Sequence, residues 1–412
     1  MNQSVLLLGR QPALGIAELE SLFGRASVRP VGEGAAVVSL PYADIPFARL
    51  GSSIKLGEVT AVLEQANWAS LEKYLYKLGA QIAKDLPEGK IQLGISAYGF
   101  DVTPQKLLAN GLTLKKVLKK AGRSVRLSPN TEPALSSAQV IHNHLTGERG
   151  YELLFIRDGS KIIIGRTRSV QDIADYTRRD RERPKRDARV GMLPPKLAQT
   201  IINLAVAHNA PSQDFTVLDP FCGTGVVIQE LMLMGYNAQA SDIEQRMGDY
   251  TLANIDWLRK VYGTTGKFGW QIGDATSVKW QTSEFTEKDG DITDAQRTPM
   301  RIDAVACEGY LGQPFSAFPP EEKLRDVMQT CNTIAKGFLK NIHSQIAPGT
   351  RLCVALPAWQ KKPGEYMHLG VLDSLEDLGY NLISFEHVGN QDLVYAREDQ
   401  IVARQLLILT RN

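Results

Sequence analysis

The sequence predicts an α/β protein whose C-terminal half holds a mostly parallel, doubly wound sheet with a terminal hairpin. Three observations lead there. An apolar run at 216–218 enters a glycine-containing turn, and a helical pattern then starts at Val226 and is closed by Gly235. A second short apolar run ends at Ala240, with Asp242 at its tip. Apolar runs and helical patterns then alternate as far as residue 355, the order that builds parallel strands joined by right-handed crossovers.

At 412 residues the chain is too long for one ordinary domain. Its 43% apolar and 22% charged residues are those of a globular protein. No stretch reads as a membrane span. Residues 4–8 are too short, and lack the flanks, for a signal peptide, so a cytoplasmic location is expected. Cys222, Cys307, Cys331 and Cys353 lie far apart with no C-x-x-C pair, which argues against a zinc site or a disulfide framework, and no metal is expected.

The first 64 residues read as a small ferredoxin-like α/β module, with strands at 5–8 and 35–40 and a short helix at 15–23. A second pattern fills 65–170. It has helices at 71–86 and 104–121, strands at 91–98, 124–127, 151–157 and 161–166, and a short helix or its edge at 140–145. Residues 171–190 are too charged to form a core, and Pro184 discourages a continuous helix, so they are expected to be a basic linker. The last domain, 191–412, opens with a helix at 196–207. Strands follow at 216–218, 238–240, 269–272, 302–306 and 351–355, with a helix at 322–343 and a closing antiparallel pair at 382–387 and 405–410. Residues 281–298 look like a polar surface insertion.

Net charge is only +2, but it is uneven. Lys115, Lys116, Lys119, Lys120, Arg123 and Arg126 share the stretch 111–130 with no acid, and Arg178 and Arg179 belong to a second basic run at 166–189. Such a local excess marks a solvated helix face or the footprint of a polyanion.

Asp219-Pro220-Phe221-Cys222-Gly223-Thr224-Gly225 carries the most chemistry. Glycines let a backbone approach a nucleotide-like ligand, and an acid about 20 residues on, here Asp242, accepts ribose hydroxyls. The third glycine of a dinucleotide site is missing, and Asp219 would repel a pyrophosphate. An acid at that place suits a cofactor with a cationic amino-acid end, S-adenosylmethionine. Asp274 and Ala275 end the third strand, where an adenine could be read, and Ile243 can pack on its face; either acid could instead be a helix cap.

This turn resembles the cofactor loop of THUMP-domain tRNA guanine-N2 methyltransferases of the guanosine-10 type. The stretch 189–198 is similar to the segment that opens their catalytic domain, 164–173 to the close of their THUMP region, and 6–12 with 18–20 to their first module. The resemblance implies a THUMP-like RNA-binding domain at 65–170 ahead of a Rossmann-like methyltransferase domain, with tRNA as partner. It implies a monomer or weak dimer, and relatives in some lineages need a small activating subunit. It further implies that Asp219, Pro220, Cys222, Gly223, Gly225, Asp242, Ile243, Asp274 and Ala275 hold the cofactor.

At the end of the fourth strand the family carries D/N-P-P-Y/F, which orients the target amine and stacks on its base. This chain reads Cys307-Glu308-Gly309-Tyr310. Tyr310 keeps the aromatic. Glu308 is the replacement carboxylate one residue along, Cys307 the alternative as a nucleophile, and a site of different use the third reading. Phe315, Phe318 and Trp359 are candidates to stack on a flipped base. The expected function is N2 methylation of a tRNA guanosine. The alternatives are methylation of another RNA exocyclic amine, and RNA binding without catalysis.

Overall fold

The computed structural model describes every residue except 1, 66, 188–192, 210, 213, 283–297, 314, 316, 363, 398 and 399. The chain divides into two units, Met1–Asp175 and Tyr176–Asn412.

The first unit is built on one eight-stranded sheet in the order β2-β3-β1-β4-β8-β7-β5-β6. Its N-terminal elements are β1 (Ser4–Leu8), α1 (Pro12–Phe23), β2 (Val28–Val31), β3 (Ala35–Val38) and β4 (Ser53–Leu63). After them come α2 (Trp68–Asp85), β5 (Ile91–Tyr98), α3 (Pro104–Lys120), β6 (Val125–Leu127), α4 (Ser137–His142), β7 (Gly150–Asp158) and β8 (Lys161–Val170). The division expected at residue 64 has no counterpart in this sheet, because β4 pairs with β8 from Lys55–Val170 to Leu63–Ile162. Sequence reading misses β4 because Lys55, Gly57 and Glu58 interrupt its apolar alternation. The helices α2 and α3 close over a core that includes Leu75, Ile82, Leu107, Leu114 and Phe155. They approach closely at Gly79, where an added Cβ would stand 2.6 Å from Val117.

Lys55 lies inside this sheet. Its Nζ donates to Glu152 Oε1 at 2.5 Å and to the Leu135 carbonyl at 2.7 Å, with both side chains almost fully buried. Ser96 and Thr167 hydroxyls donate to the two oxygens of Glu152 at 2.6 Å each. Burial pushes the Lys55 amine below its ordinary value, while Glu152 draws it back up. The charges are therefore paired and hydrogen-bonded, the one condition under which burial is tolerated.

Helix α5 (Ile173–Arg181) carries the chain into the second unit. The stretch expected to be a coreless linker is thus helical up to Arg181, three residues short of Pro184. It is anchored because Arg179 is buried and ion-paired with Glu230. The opening part of that unit has α6 (Pro195–Val206), β9 (Thr216–Asp219), α7 (Val226–Leu233), β10 (Asn237–Asp242), α8 (Gln245–Tyr262) and β11 (Phe268–Ile272). Later elements are β12 (Gln281–Thr282), β13 (Thr298–Pro299), β14 (Ala304–Glu308), α9 (Glu321–His343) and β15 (Arg351–Lys362). The last are β16 (Glu365–Met367), β17 (Tyr380–Leu382), β18 (Val394–Tyr395) and β19 (Val402–Arg411). Most of the expected insertion at 281–298 lies outside the described residues.

The main sheet runs β11-β10-β9-β14-β15-β19-β17, with β16 beside β15 and β18 beside β19. From β11 to β15 all pairs are parallel, and chain order reverses direction between β9 and β14. A cleft opens at the carboxyl ends where the order reverses, which is where such sheets bind ligands. The predicted fold class, a mostly parallel Rossmann-like sheet with antiparallel strands at its end, is the one observed. The closing pair differs in detail. The strand is Tyr380–Leu382 rather than 382–387, and β19 makes its long pairing with β15, from Arg351–Thr410 to Trp359–Val402.

Replacing Lys55 by Met leaves Glu152 as an unpaired buried charge. We expect a loss of about 3 kcal/mol in the stability of the first unit, read from its urea transition. Replacing Lys55 and Glu152 together by Met and Leu should recover most of that loss.

Candidate active site

Three neighbouring parallel strands each end on an acid: β10 on Asp242, β9 on Asp219 and β14 on Glu308. Asp219 is 1% exposed, and its Oδ1 accepts from the Phe221 amide at 3.1 Å. Burial first, then the nearby Asp242 and Glu308, push its carboxyl well above the ordinary range. Asp242 is raised as well, chiefly by burial, against the pull of its backbone donors. Its Oδ2 accepts from the Gly223 amide at 2.9 Å and its Oδ1 from the Glu244 amide at 3.0 Å.

The turn between β9 and α7 is left-handed at Gly223 (φ 50°) and Gly225 (φ 80°). Side chains rarely adopt that backbone. At Gly225 there is also no space, since an added Cβ would stand 2.8 Å from Thr251. Thr251 hydroxyl donates to the Gly223 carbonyl at 2.9 Å, and Asn254 Nδ2 to the Thr224 carbonyl at 2.8 Å. Asn254 also exchanges two hydrogen bonds of 2.9 Å with the backbone of Lys185. Sequence reading passes over these two α8 residues. Their only signal is a pair of polar side chains three apart on a helix face that is otherwise apolar.

The tips of β10 and β11 meet where Gly273 amide donates to the Asp242 carbonyl at 2.9 Å. Beside them Ile243 and Ile272 are exposed, at 66% and 49%, an apolar pair next to the two carboxylates. Ile272 was not among the residues singled out from the sequence. Asp274 holds its own turn, its Oδ1 accepting from the Thr276 amide and hydroxyl at 2.8 Å each. Ala275 and Pro220 are buried and supply backbone: their carbonyls accept from Asn341, at 3.0 Å, and from Ser241, at 3.4 Å.

Cys222 needs correction as a ligand contact. Its side chain is buried against Thr251, 3.8 Å from the hydroxyl, so only its backbone belongs to the turn. Cys307 is corrected as a nucleophile. It is fully buried, and burial beside Asp219 raises its thiol well above the usual value, so no thiolate is offered. Trp359, the preferred stacking candidate, is 0% exposed and belongs to the core. Phe315 packs half-buried against that core, while Phe318 and Tyr310 are exposed.

Glu308 is ion-paired with Arg404 of β19, whose Nε donates to Oε1. The Arg404 side chain is 5% and that of Glu308 14% exposed. Arg404 Nη1 donates onward to Gln400 at 3.1 Å. The Gly309 amide donates to the Ala355 carbonyl at 2.9 Å, fixing the backbone just after the acid.

Among the basic residues, Lys116, Lys119, Lys120 and Arg126 are exposed and Lys115 is half-buried, all in the first unit. Arg123 is corrected: its guanidinium donates to the carbonyls of Ala83, Leu86 and Pro87, and so caps the end of α2. In the second unit Arg178 is exposed beside Glu182, but Arg179 is buried on Glu230 and faces no external anion. Residues 189–192 of the motif at 189–198 lie outside the described residues. Among the described residues no group of three or more His, Cys, Asp or Glu side chains could hold a metal ion, and no helix is long and apolar enough to cross a membrane.

A glycine turn and acid-tipped strands on this sheet define a Rossmann-like unit. TrmN from Thermus thermophilus shares the fold, with a TM-score of 0.50, 16% identity and full coverage of both chains. No protein-family model matches the chain. Curated relatives are named tRNA (guanine(10)-N2)-dimethyltransferase. The one from Methanothermobacter thermautotrophicus is 29% identical over 167 residues, 40% of this chain and 39% of the relative. The one from Pyrococcus abyssi is also 29% identical over 167 residues, 38% of this chain and 47% of the relative. The chain thus spans less than half the length of these curated relatives.

Gly225→Ala forces a Cβ into a left-handed position against Thr251. We expect it to destabilise the second unit by about 1–3 kcal/mol, seen as a lower Tm.

Proposed function

We propose that the protein is an S-adenosylmethionine-dependent tRNA methyltransferase acting on the exocyclic N2 of a guanosine. Position ten of the tRNA is the site carried by the name of its relatives. The observation behind the cofactor is the row of acids ending β10, β9 and β14. Two of them, Asp219 and Asp242, have their carboxyls raised, chiefly by burial, and a cation beside them would favour their ionised forms. An RNA-binding protein without chemistry has no use for that arrangement.

When bound, the cofactor supplies the methyl group. Asp242 would accept its ribose hydroxyls and Ile243 and Ile272 would flank its adenine. Gly223 and Gly225 would admit its backbone-facing side, and Asp219 would meet its cationic end. Glu308 and Tyr310 stand on the next strand, one to accept hydrogen bonds from the target amine and the other to stack on its base. In-line transfer depends mostly on such positioning. We assign tRNA contacts to Lys115, Lys116, Lys119, Lys120, Arg126 and Arg178.

The test is transfer of labelled methyl groups to unmodified tRNA transcripts, followed by nucleoside mass spectrometry. N2-methylguanosine is the expected product; none, with cofactor bound, sinks the tRNA reading.

Asp219 adds a pH prediction. Its folded carboxyl is raised, so it holds its proton into a range where a free Asp has lost it. A cationic ligand favours the ionised form, so binding releases that proton. Affinity for S-adenosylmethionine should therefore rise with pH until it passes the raised value, then level off. Calorimetry from pH 5 to 8 in two buffers of different ionisation enthalpy reads both effects. Asp219→Asn should bind more weakly and with a shallower slope, since Asp242, also raised, remains.

A further inference from the structure

We infer that Glu308 and Arg404 together read the target base, and that this pair selects guanine over the other bases that carry an exocyclic amine. The inference rests on the proposed methyltransferase reading and names its specificity device. Glu308 ends β14, with Tyr310 exposed two residues on. Its Oε1 is bonded side-on by one donor, Arg404 Nε, while the guanidinium is anchored on Gln400. Arg404 is itself fixed in register, opposite Pro357 of β15 and Tyr395 of β18. A side chain held this way has one orientation, and Oε2 keeps its acceptor sites.

An ionised carboxylate only accepts hydrogen bonds. Guanine presents two adjacent donors on its pairing edge, N1–H and the N2 amine. Adenine and cytosine place a bare ring-nitrogen acceptor beside the amine. A carboxylate facing them would set a lone pair against a lone pair in a partly buried site, a mismatch that discriminates strongly. Pairing with Arg404 fixes the plane of the Glu308 carboxylate. Arg404 is thus a positioning residue, acting through Glu308. A glutamine at 308 would present one acceptor and one donor, the complement of adenine.

The experiment uses the full chain and two tRNA transcripts that differ only at the target position, guanosine in one and adenosine in the other. Wild type should methylate the first and ignore the second. Glu308→Gln should lose about 100-fold in kcat/KM on guanosine and gain transfer to adenosine. Arg404→Met should lower kcat and narrow the preference, and Arg404→Lys should restore part of both. Calorimetric binding of S-adenosylmethionine to each variant verifies that the site is folded. A Glu308→Gln enzyme that binds cofactor, stays active and keeps the wild-type preference overturns the pair's role, as does an Arg404→Met enzyme whose loss is only in stability. If wild type binds cofactor but methylates neither transcript, the tRNA reading fails and the pair's role falls with it.

Discussion

Three acids gathered at the ends of adjacent parallel strands are the constraint around which the second unit is organised. Asp242, Asp219 and Glu308 terminate neighbouring strands, so the sheet itself sets their spacing. Each is met differently. Asp242 receives two backbone amides, Asp219 receives one, and Glu308 receives a guanidinium. Amides donate partial charge only, so buried Asp219 and half-buried Asp242 both remain raised. The fold tolerates this because the rest of the cleft is stitched tightly. A site of this kind stores electrostatic free energy that a cationic ligand releases on binding.

That stitching comes largely from α8. Thr251 and Asn254 hold two successive carbonyls of the glycine turn, and Asn254 reaches back to the backbone of Lys185. The turn needs such support because its glycines, free to adopt φ above zero, would otherwise be free to leave it. Buried polar side chains of this sort are fully hydrogen-bonded or very unfavourable. Their positions are therefore tightly specified, although neither faces the cleft directly.

Much of this was legible in the sequence, and the exceptions share a cause. Local pattern located β5 residue for residue and placed α2, α3, α6, α9 and four of the five parallel strands with modest shifts at their ends, while β15 runs seven residues past the expected 355. The acids of the cleft and the glycines of the turn were legible because spacing between strand tips is a local property. Strand β4 was not, since Lys55 becomes a core residue only when Glu152, far along the chain, arrives to pair with it. The same holds for Arg179, Arg123 and Arg404. Arg179 and Arg123 read as surface cations and Arg404 goes unmarked, yet each is claimed by a partner 36 to 96 residues distant. Trp359 fails in the opposite direction. Its place near a strand end suggested the cleft, but β15 continues to Lys362 and buries it.

The strand end at Glu308-Gly309 is held in the same terms, by other means than the prolines of the family it resembles. Two prolines stiffen a strand end by fixing φ and by withholding amide donors. Here Gly309 has neither restraint, yet its amide donates to the Ala355 carbonyl, a bond that a proline at that position could not make. A cross-strand hydrogen bond thereby restrains this strand end. The side chain at 307 points into the core, where a cysteine suits the apolar surroundings. The carboxylate at 308 reaches the other face and finds Arg404, which supplies the orientation that the backbone no longer imposes. Glu308 and Arg404 are therefore a coupled set. Glu308 without Arg404 would be a mobile, half-buried charge, and Arg404 without Glu308 a buried cation beside an apolar strand. The substitution of one explains the presence of the other.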